Sequence, residues 1–265
     1  MYSPFQLAAR YLKYYITASN GKGHGVHSPF VYSFITMVLN DERQFYAYQA
    51  IEQIRQSLLQ NPEEIYVEDF GAGSRTKAAN NRRIKNIAAS SLKPRKFGQL
   101  LFRIVDHYAP GKILELGTSL GITTAYLASA RESSMVVTME GAPSVASVAR
   151  ENFEKIGLRN IELIEGNFDI TLTDTIRKMG YIDLAFVDGN HRYEPTVRYF
   201  RELLPAMQEH SILIFDDIHW SREMEQAWDE IKADPAVTLS IDLFFIGLIF
   251  FRKEQKEKQD FVIRF

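Results

Sequence analysis

A chain of 265 residues with 46% hydrophobic and 24% charged side chains can bury one large core plus a modest addition, which excludes a disordered or repeat protein. A net charge of -2 and a pI near 6.3 are no nucleic-acid footprint, and the absence of cysteine excludes disulfides, thiol nucleophiles and thiolate metal sites. The longest apolar run, LFFIGLIFF at 243–251, is too short to span a bilayer, and no secretory signal opens the chain, so a cytoplasmic location without a membrane partner is expected.

The N-terminal region reads as helical. Phe5, Ala8, Leu12, Tyr15 and Ile16 share one face of a first helix, Ser28 and Pro29 supply a cap and first position for a second, and a third is predicted near 44–60 before Asn61 and Pro62. The glycine-rich GKGHGVHSP reads as a flexible connection, with His24 and His27 as polar loop residues. This helical layer could cover an acceptor pocket or form a homodimer contact, and the sequence leaves both open.

At 65–74, IYVEDFGAGS has the strand-then-glycine look of a nucleotide-binding corner. Its sequel TKAANNRRIKNIAASS lacks a strong apolar helical stripe, and no buried strand tipped with an acid follows before residue 113, so an ordered loop or short strand is predicted. From Arg75 to Arg103 run Arg75, Lys77, Arg82, Arg83, Lys85, Lys93, Arg95, Lys96 and Arg103 with no acidic residue among them. Such a stretch could hold an anionic acceptor, but a solvated linker is the expectation. The predicted division is therefore a helical extension and basic linker over 1–94 and an α/β domain over 95–265.

The most informative segment is ILELGTSLG at 113–121, an apolar strand carrying Glu115 into a glycine turn that opens a helix at Ile122. Gly117 and Gly121 allow close backbone approach to a ligand, and helix N–H groups are left at the turn's edge. SMVVTME is then a strand ending at Glu140, and Val145, Val148, Ala149, Phe153 and Ile156 mark a helix. IELIEG, IDLAFVDG and SILIFDD continue as strands, with a helix from Tyr193 to Met207 before the last. Alternation of this length implies a doubly wound, mostly parallel sheet with ligands beyond the carboxyl ends of its strands. Glu115, Glu140, Asp188, Asp216 and Asp217 all fall at those ends, where packing alone does not explain acids.

These segments together resemble class I S-adenosylmethionine-dependent methyltransferases, in the branch similar to catechol-type and sugar O-methyltransferases, over residues 95–251. The resemblance implies a seven-stranded Rossmann-like sheet whose last strand is antiparallel, and 237–251 has the matching hairpin pattern, with FVIRF available as an edge strand. It implies that Glu115 lies near the methionine ammonium group, and that Gly117, Thr118, Ser119 and Gly121 lie under the cofactor. Glu140 and Gly141 would meet the ribose, and Gly166, Asn167 and Phe168 the adenine, although an acid is common where Asn167 stands. Asp188, Asp216 and Asp217 would bind a divalent cation, Mg²⁺ by its preference for oxygen, with Asp188 also beside the cofactor. His191 stands where the catechol-type branch carries its base, there usually a lysine, and His219 in DDIHW is the rival. Tyr193 and Trp220 could line the acceptor pocket. The DFGAGS and HSPF strings accompany some bacterial members.

The implied activity moves a methyl group to a hydroxyl oxygen of a small molecule. Its alternatives are a metal-independent N- or nucleic-acid methyltransferase, an NAD-dependent oxidoreductase, whose G-x-G-x-x-G turn is missing, and a catalytically silent cofactor-binding scaffold.

Overall fold

The computed structural model describes residues 1–69 and 78–265, so DFGAGS beyond Asp69, together with Arg75 and Lys77, lies outside the described residues. The chain begins with α1 (Pro4–Thr17), α2 (Pro29–Phe34) prolonged by a π-helical turn over Ile35–Leu39, and α3 (Tyr46–Gln60). Ser3 and Gln6 start α1 with reciprocal side-chain-to-backbone bonds ahead of Pro4, and Ser28 with Pro29 starts α2 as expected.

A hairpin follows, in which β1 (Glu64–Asp69) pairs antiparallel with β2 (Ala78–Arg83), and it leads into α4 (Ile84–Ser91) and α5 (Arg95–Tyr108). The described part of the basic stretch is therefore folded as a strand and two helices rather than a linker, although Arg82, Arg83, Arg95 and Lys96 remain exposed. Phe97, Leu100, Leu101, Ile104 and Val105 give α5 a buried face, and Arg103 is buried among them.

Strand and helix then alternate through β3 (Lys112–Leu116), α6 (Ile122–Ala130), β4 (Met135–Glu140), α7 (Pro143–Ile156), β5 (Ile161–Glu165), α8 (Phe168–Met179) and β6 (Ile182–Val187). The chain closes with α9 (Tyr193–Leu203), β7 (Met207–Asp216), α10 (Arg222–Ala233), β8 (Leu239–Asp242), β9 (Ile246–Phe250) and β10 (Gln259–Val262). Eight strands form one sheet in the order β10-β8-β9-β7-β6-β3-β4-β5. Pairings β3–β4, β4–β5 and β6–β7 are parallel, while β9 runs antiparallel to both β7 and β8. This is the expected Rossmann-like sheet with its antiparallel strand. It has eight strands rather than seven because β10 adds a parallel edge to β8.

Two boundaries differ from expectation. The helix from Tyr193 stops at Leu203, since Pro205 ends it in a short 3₁₀ turn and Met207 already belongs to β7. The chain reverses at Leu243–Phe245 rather than at Gly247, which lies within β9, where a Cβ would sit 2.6 Å from the Trp228 ring and only glycine fits.

Residues 1–41 with 176–265 form one compact unit and 42–175 the other, so the helical extension contributes to both. In the second, α3, α4 and α5 pack with α6 and α7 around Tyr48, Ile51, Ile84, Phe102 and Tyr126. In the first, α1 docks through Tyr14 and Ala18 on Phe244, and the Tyr14 hydroxyl donates to the carbonyl of Ile263. The stripe read from the sequence points outward instead, with Phe5 83%, Leu12 59% and Ile16 67% exposed. Among the described residues no helix is long and apolar enough to cross a membrane.

Candidate active site

The glycine corner after β3 is a closed set of local bonds. Gly117 and Gly121 take φ of 106° and 83°, and the N–H groups of Gly117 and Thr118 both donate to the carbonyl of Met139 at 3.0 Å. Ser119 holds a left-handed φ of 48°, a conformation that costs energy in a residue with a side chain. In that position its N–H donates to Glu140 Oε2 at 2.8 Å, while Ala142 N–H reaches Oε1 at 3.0 Å. Burial pushes the Glu140 carboxyl above its ordinary value, and backbone bonds from Ala142, Ser119 and Gly141 pull the other way. The result is a desolvated acceptor at the tip of β4, aimed by two backbone donors.

Glu115 is fully buried, 0% exposed, and its Oε2 accepts from the hydroxyls of Thr124 and Thr138. Because Thr138 gives its one proton to Glu115, Thr118 is the donor in the 2.6 Å contact between the two threonines. Neither Thr124 nor Thr138 was singled out from the sequence. Thr138 was within reach, since it sits opposite Glu115 in the β3–β4 register. At the end of β5, Gly166 takes a φ of 135° and donates to the Glu140 carbonyl at 2.9 Å. Asn167 Oδ1 accepts from Asp169 N–H at 3.0 Å, so this side chain caps α8, which begins at Phe168.

The strand ends of β6 and β7 carry a second constellation. Asp188, His191 and Asp216 each offer a ligand atom within 4.8 Å of the others, with His191 Nε2 at 3.4 Å from Asp188 Oδ1. Asn190, at a φ of 65°, lies between the first two and donates to the Tyr199 hydroxyl at 3.1 Å. The two carboxylates suit a hard divalent cation, and the imidazole stands beside them within reach of a bound acceptor. Among the described residues the group contains His191 where the sequence reading had Asp217. Asp217 follows the strand end at a φ of 53°, its N–H donates to the Phe245 carbonyl at 2.6 Å, and its own carbonyl accepts from Trp220 N–H at 2.9 Å. Adjacent residues leaving a strand ordinarily point to opposite sides.

His219 is clasped on both ring nitrogens, Nδ1 by Glu225 at 3.1 Å and Nε2 by Asp242 at 2.8 Å, and it stacks on Phe244. Burial alone would lower its pKa, but Asp242 and Glu225 outweigh that and raise it. With a carboxylate on each ring nitrogen, His219 is a structural link between Glu225 and Asp242. Tyr193 donates its hydroxyl to Glu230, which joins α9 to α10.

Residues 114–218 match the family model described as a methyltransferase domain. No curated protein matches the sequence. Among solved structures, an O-methyltransferase fold from Klebsiella pneumoniae is similar at 18% identity and a TM-score of 0.56, over 82% of this chain and 94% of that one. The O-methyltransferase TomG of Streptomyces achromogenes, solved with S-adenosylmethionine, gives 17%, 0.56, 84% and 95% in the same measures. An O-methyltransferase of Bacillus cereus, solved with S-adenosylhomocysteine, gives 18%, 0.54, 81% and 95%. Residues 114–218 thus match a methyltransferase domain, and the chain shares its fold with these solved O-methyltransferases.

Proposed function

We propose that this chain, whose residues 114–218 match a methyltransferase domain, transfers the methyl group of S-adenosylmethionine to a hydroxyl oxygen of a small molecule with the help of a divalent cation. The observation that carries the reading is the convergence of Asp188, His191 and Asp216 at two strand ends. Support for the cofactor comes from the glycine corner with Glu140, and from relatives solved with S-adenosylmethionine or its demethylated product. When bound, the cofactor supplies an electrophilic methyl on a sulfonium, and the cation would make the acceptor hydroxyl more acidic.

In this reading Glu140 receives the ribose hydroxyls, Glu115 and the Gly117–Gly121 backbone orient the methionine portion, and Asp188 with Asp216 hold the cation. His191, whose Nε2 lies 3.4 Å from Asp188 Oδ1, would take the proton from the acceptor hydroxyl. The oxygen–methyl bond forms as the sulfur–methyl bond breaks, and the bonding pair leaves with sulfur as S-adenosylhomocysteine. His219 is left out of the chemistry because both its nitrogens are engaged.

The test has two arms. Calorimetric titration with S-adenosylhomocysteine and paramagnetic titration with Mn²⁺ should both show binding, and Asp188→Asn or Asp216→Asn should abolish the second alone. Against a panel of phenols and alcohols, His191→Ala should lower methyl transfer by roughly 10²–10⁴. Stabilisation by NAD but not by S-adenosylhomocysteine would remove the whole reading, and cofactor binding without Mn²⁺ binding would remove its metal clause.

A further inference from the structure

We infer that the N-terminal helix α1 is a positioning element of the acidic site, acting through Tyr2, Arg10 and Glu225 on His219 and so on the turn that follows Asp216. The inference rests on the proposed role of Asp216. Every residue in it belongs to the unit formed by 1–41 and 176–265.

The bonds form a continuous series. Tyr2 donates its hydroxyl to Glu225 Oε2 at 2.7 Å, and Arg10 Nη1 donates to Oε1 at 2.6 Å. The same Oε1 meets His219 Nδ1, whose other nitrogen is held by Asp242. Asp242 in turn accepts through Oδ1 from Phe244 N–H at 2.7 Å, and Phe244 carries the edge of the Tyr11 ring from α1 at a centroid distance of 5.1 Å. The backbone repeats the connection: Tyr2 N–H donates to the Trp220 carbonyl at 3.1 Å, and Trp220 N–H closes the turn on Asp217 at 2.9 Å. The turn that begins at Asp216 is thus gripped at Asp217, His219 and Trp220, and two of those grips end on the first residues of the chain.

Single exposed ion pairs contribute little to stability, so the Arg10 bond by itself would decide nothing. Here, however, one carboxylate gathers a phenol, a guanidinium and an imidazolium, and its orientation sets that of His219. Asp217 meanwhile holds a left-handed conformation that persists only where its surroundings over-determine it. A helix that merely stabilised the unit would need no such contacts with a turn three residues from a candidate metal ligand.

The test uses the full chain with Tyr2→Phe and Arg10→Gln combined, and separately Glu225→Gln. Amide hydrogen exchange over 216–221 should become about tenfold faster, the effect of losing a hydrogen bond to a charged group. Mn²⁺ affinity should fall about tenfold, as for other residues that orient metal ligands, with S-adenosylhomocysteine affinity unchanged and Arg10→Lys restoring part of the loss. Unchanged exchange over 216–221, or equal acceleration there and over 113–125, would overturn the inference. If the parent chain binds no Mn²⁺, the metal clause of the proposed function fails, and the exchange measurement alone decides for or against this role of α1.

Discussion

Ser119, in the loop after β3, and Asp217, in the turn after β7, both hold positive φ without being glycine, at 48° and 53°, yet different parts of the chain restrain them. Ser119 is fixed by Glu140 at the tip of the adjoining strand, in a loop whose remaining bonds run to Met139. Asp217 is fixed by Phe245 and by a turn whose outer partners are Tyr2, Glu225 and Asp242. The first loop is a motif in the strict sense, since a few neighbouring residues determine one another. The second is assembled by the fold and has almost no local signature.

The comparison breaks most sharply at Gly121. A side chain there would adopt a φ of 83° and place its Cβ 2.6 Å from the Phe153 ring, which itself lies buried on α7. Gly121→Val should therefore destabilise the protein by about 2–4 kcal/mol, the sum of a left-handed penalty and overpacking. Urea denaturation followed by circular dichroism reads this directly. A loss under about 0.5 kcal/mol, the size of an ordinary surface change, would mean that the corner yields and is not the rigid local device described.

Glu140 sharpens the comparison at the next scale. Glu140→Gln removes one of two carboxylate acceptors, so S-adenosylhomocysteine affinity should fall roughly tenfold or more, measured by calorimetry. Its raised pKa sets opposite signs for binding and for folding. For folding, the contribution of this group is full below the ordinary 4.5 and declines as pH rises through the higher folded value, because burial penalises the charged form. For cofactor binding the carboxylate is required, so affinity should drop as pH falls through that same value, beginning above 4.5. A binding profile flat down to pH 4.5 in the parent chain would remove Glu140 as the ribose acceptor.

The same contrast explains what could be read in advance. Buried strands such as ILELG and IDLAFV announce a parallel sheet because both faces are apolar, and Asp188 after IDLAFV marks the rim, whereas Glu115 is buried within its strand. The antiparallel β9 was legible from its apolar run, but its turn was misplaced because Gly247 looks like a turn residue until Trp228 is seen beside it. His191 lies beside Asp188 and Asp216 among the described residues, and the left-handed conformation of Asp217 after the strand end is a feature no spacing encodes. Thr124, Tyr199, Glu225 and Asp242, which bond Glu115, Asn190 and His219, carry no sequence signal because each meets its partner only through tertiary packing.

Helix α1 gives the smallest expected effect and tests the comparison from the other side. Periodicity places Phe5, Leu12 and Ile16 on one face, and such a stripe ordinarily marks the side turned to the core. In the structure the aromatic residues Tyr11 and Tyr14 dock instead, because they meet Phe244 and the Tyr14 hydroxyl can reach a carbonyl partner. Leu12 stays 59% exposed, so Leu12→Ser should change stability by no more than about 0.5 kcal/mol in urea denaturation. A loss above about 1 kcal/mol that grows with protein concentration would show the stripe packed against a second copy, because only an associating state makes stability depend on concentration. A loss of that size without concentration dependence would mean that α1 docks on the face the periodicity marks, and the grip of Tyr2 and Arg10 on Glu225 would fall with it.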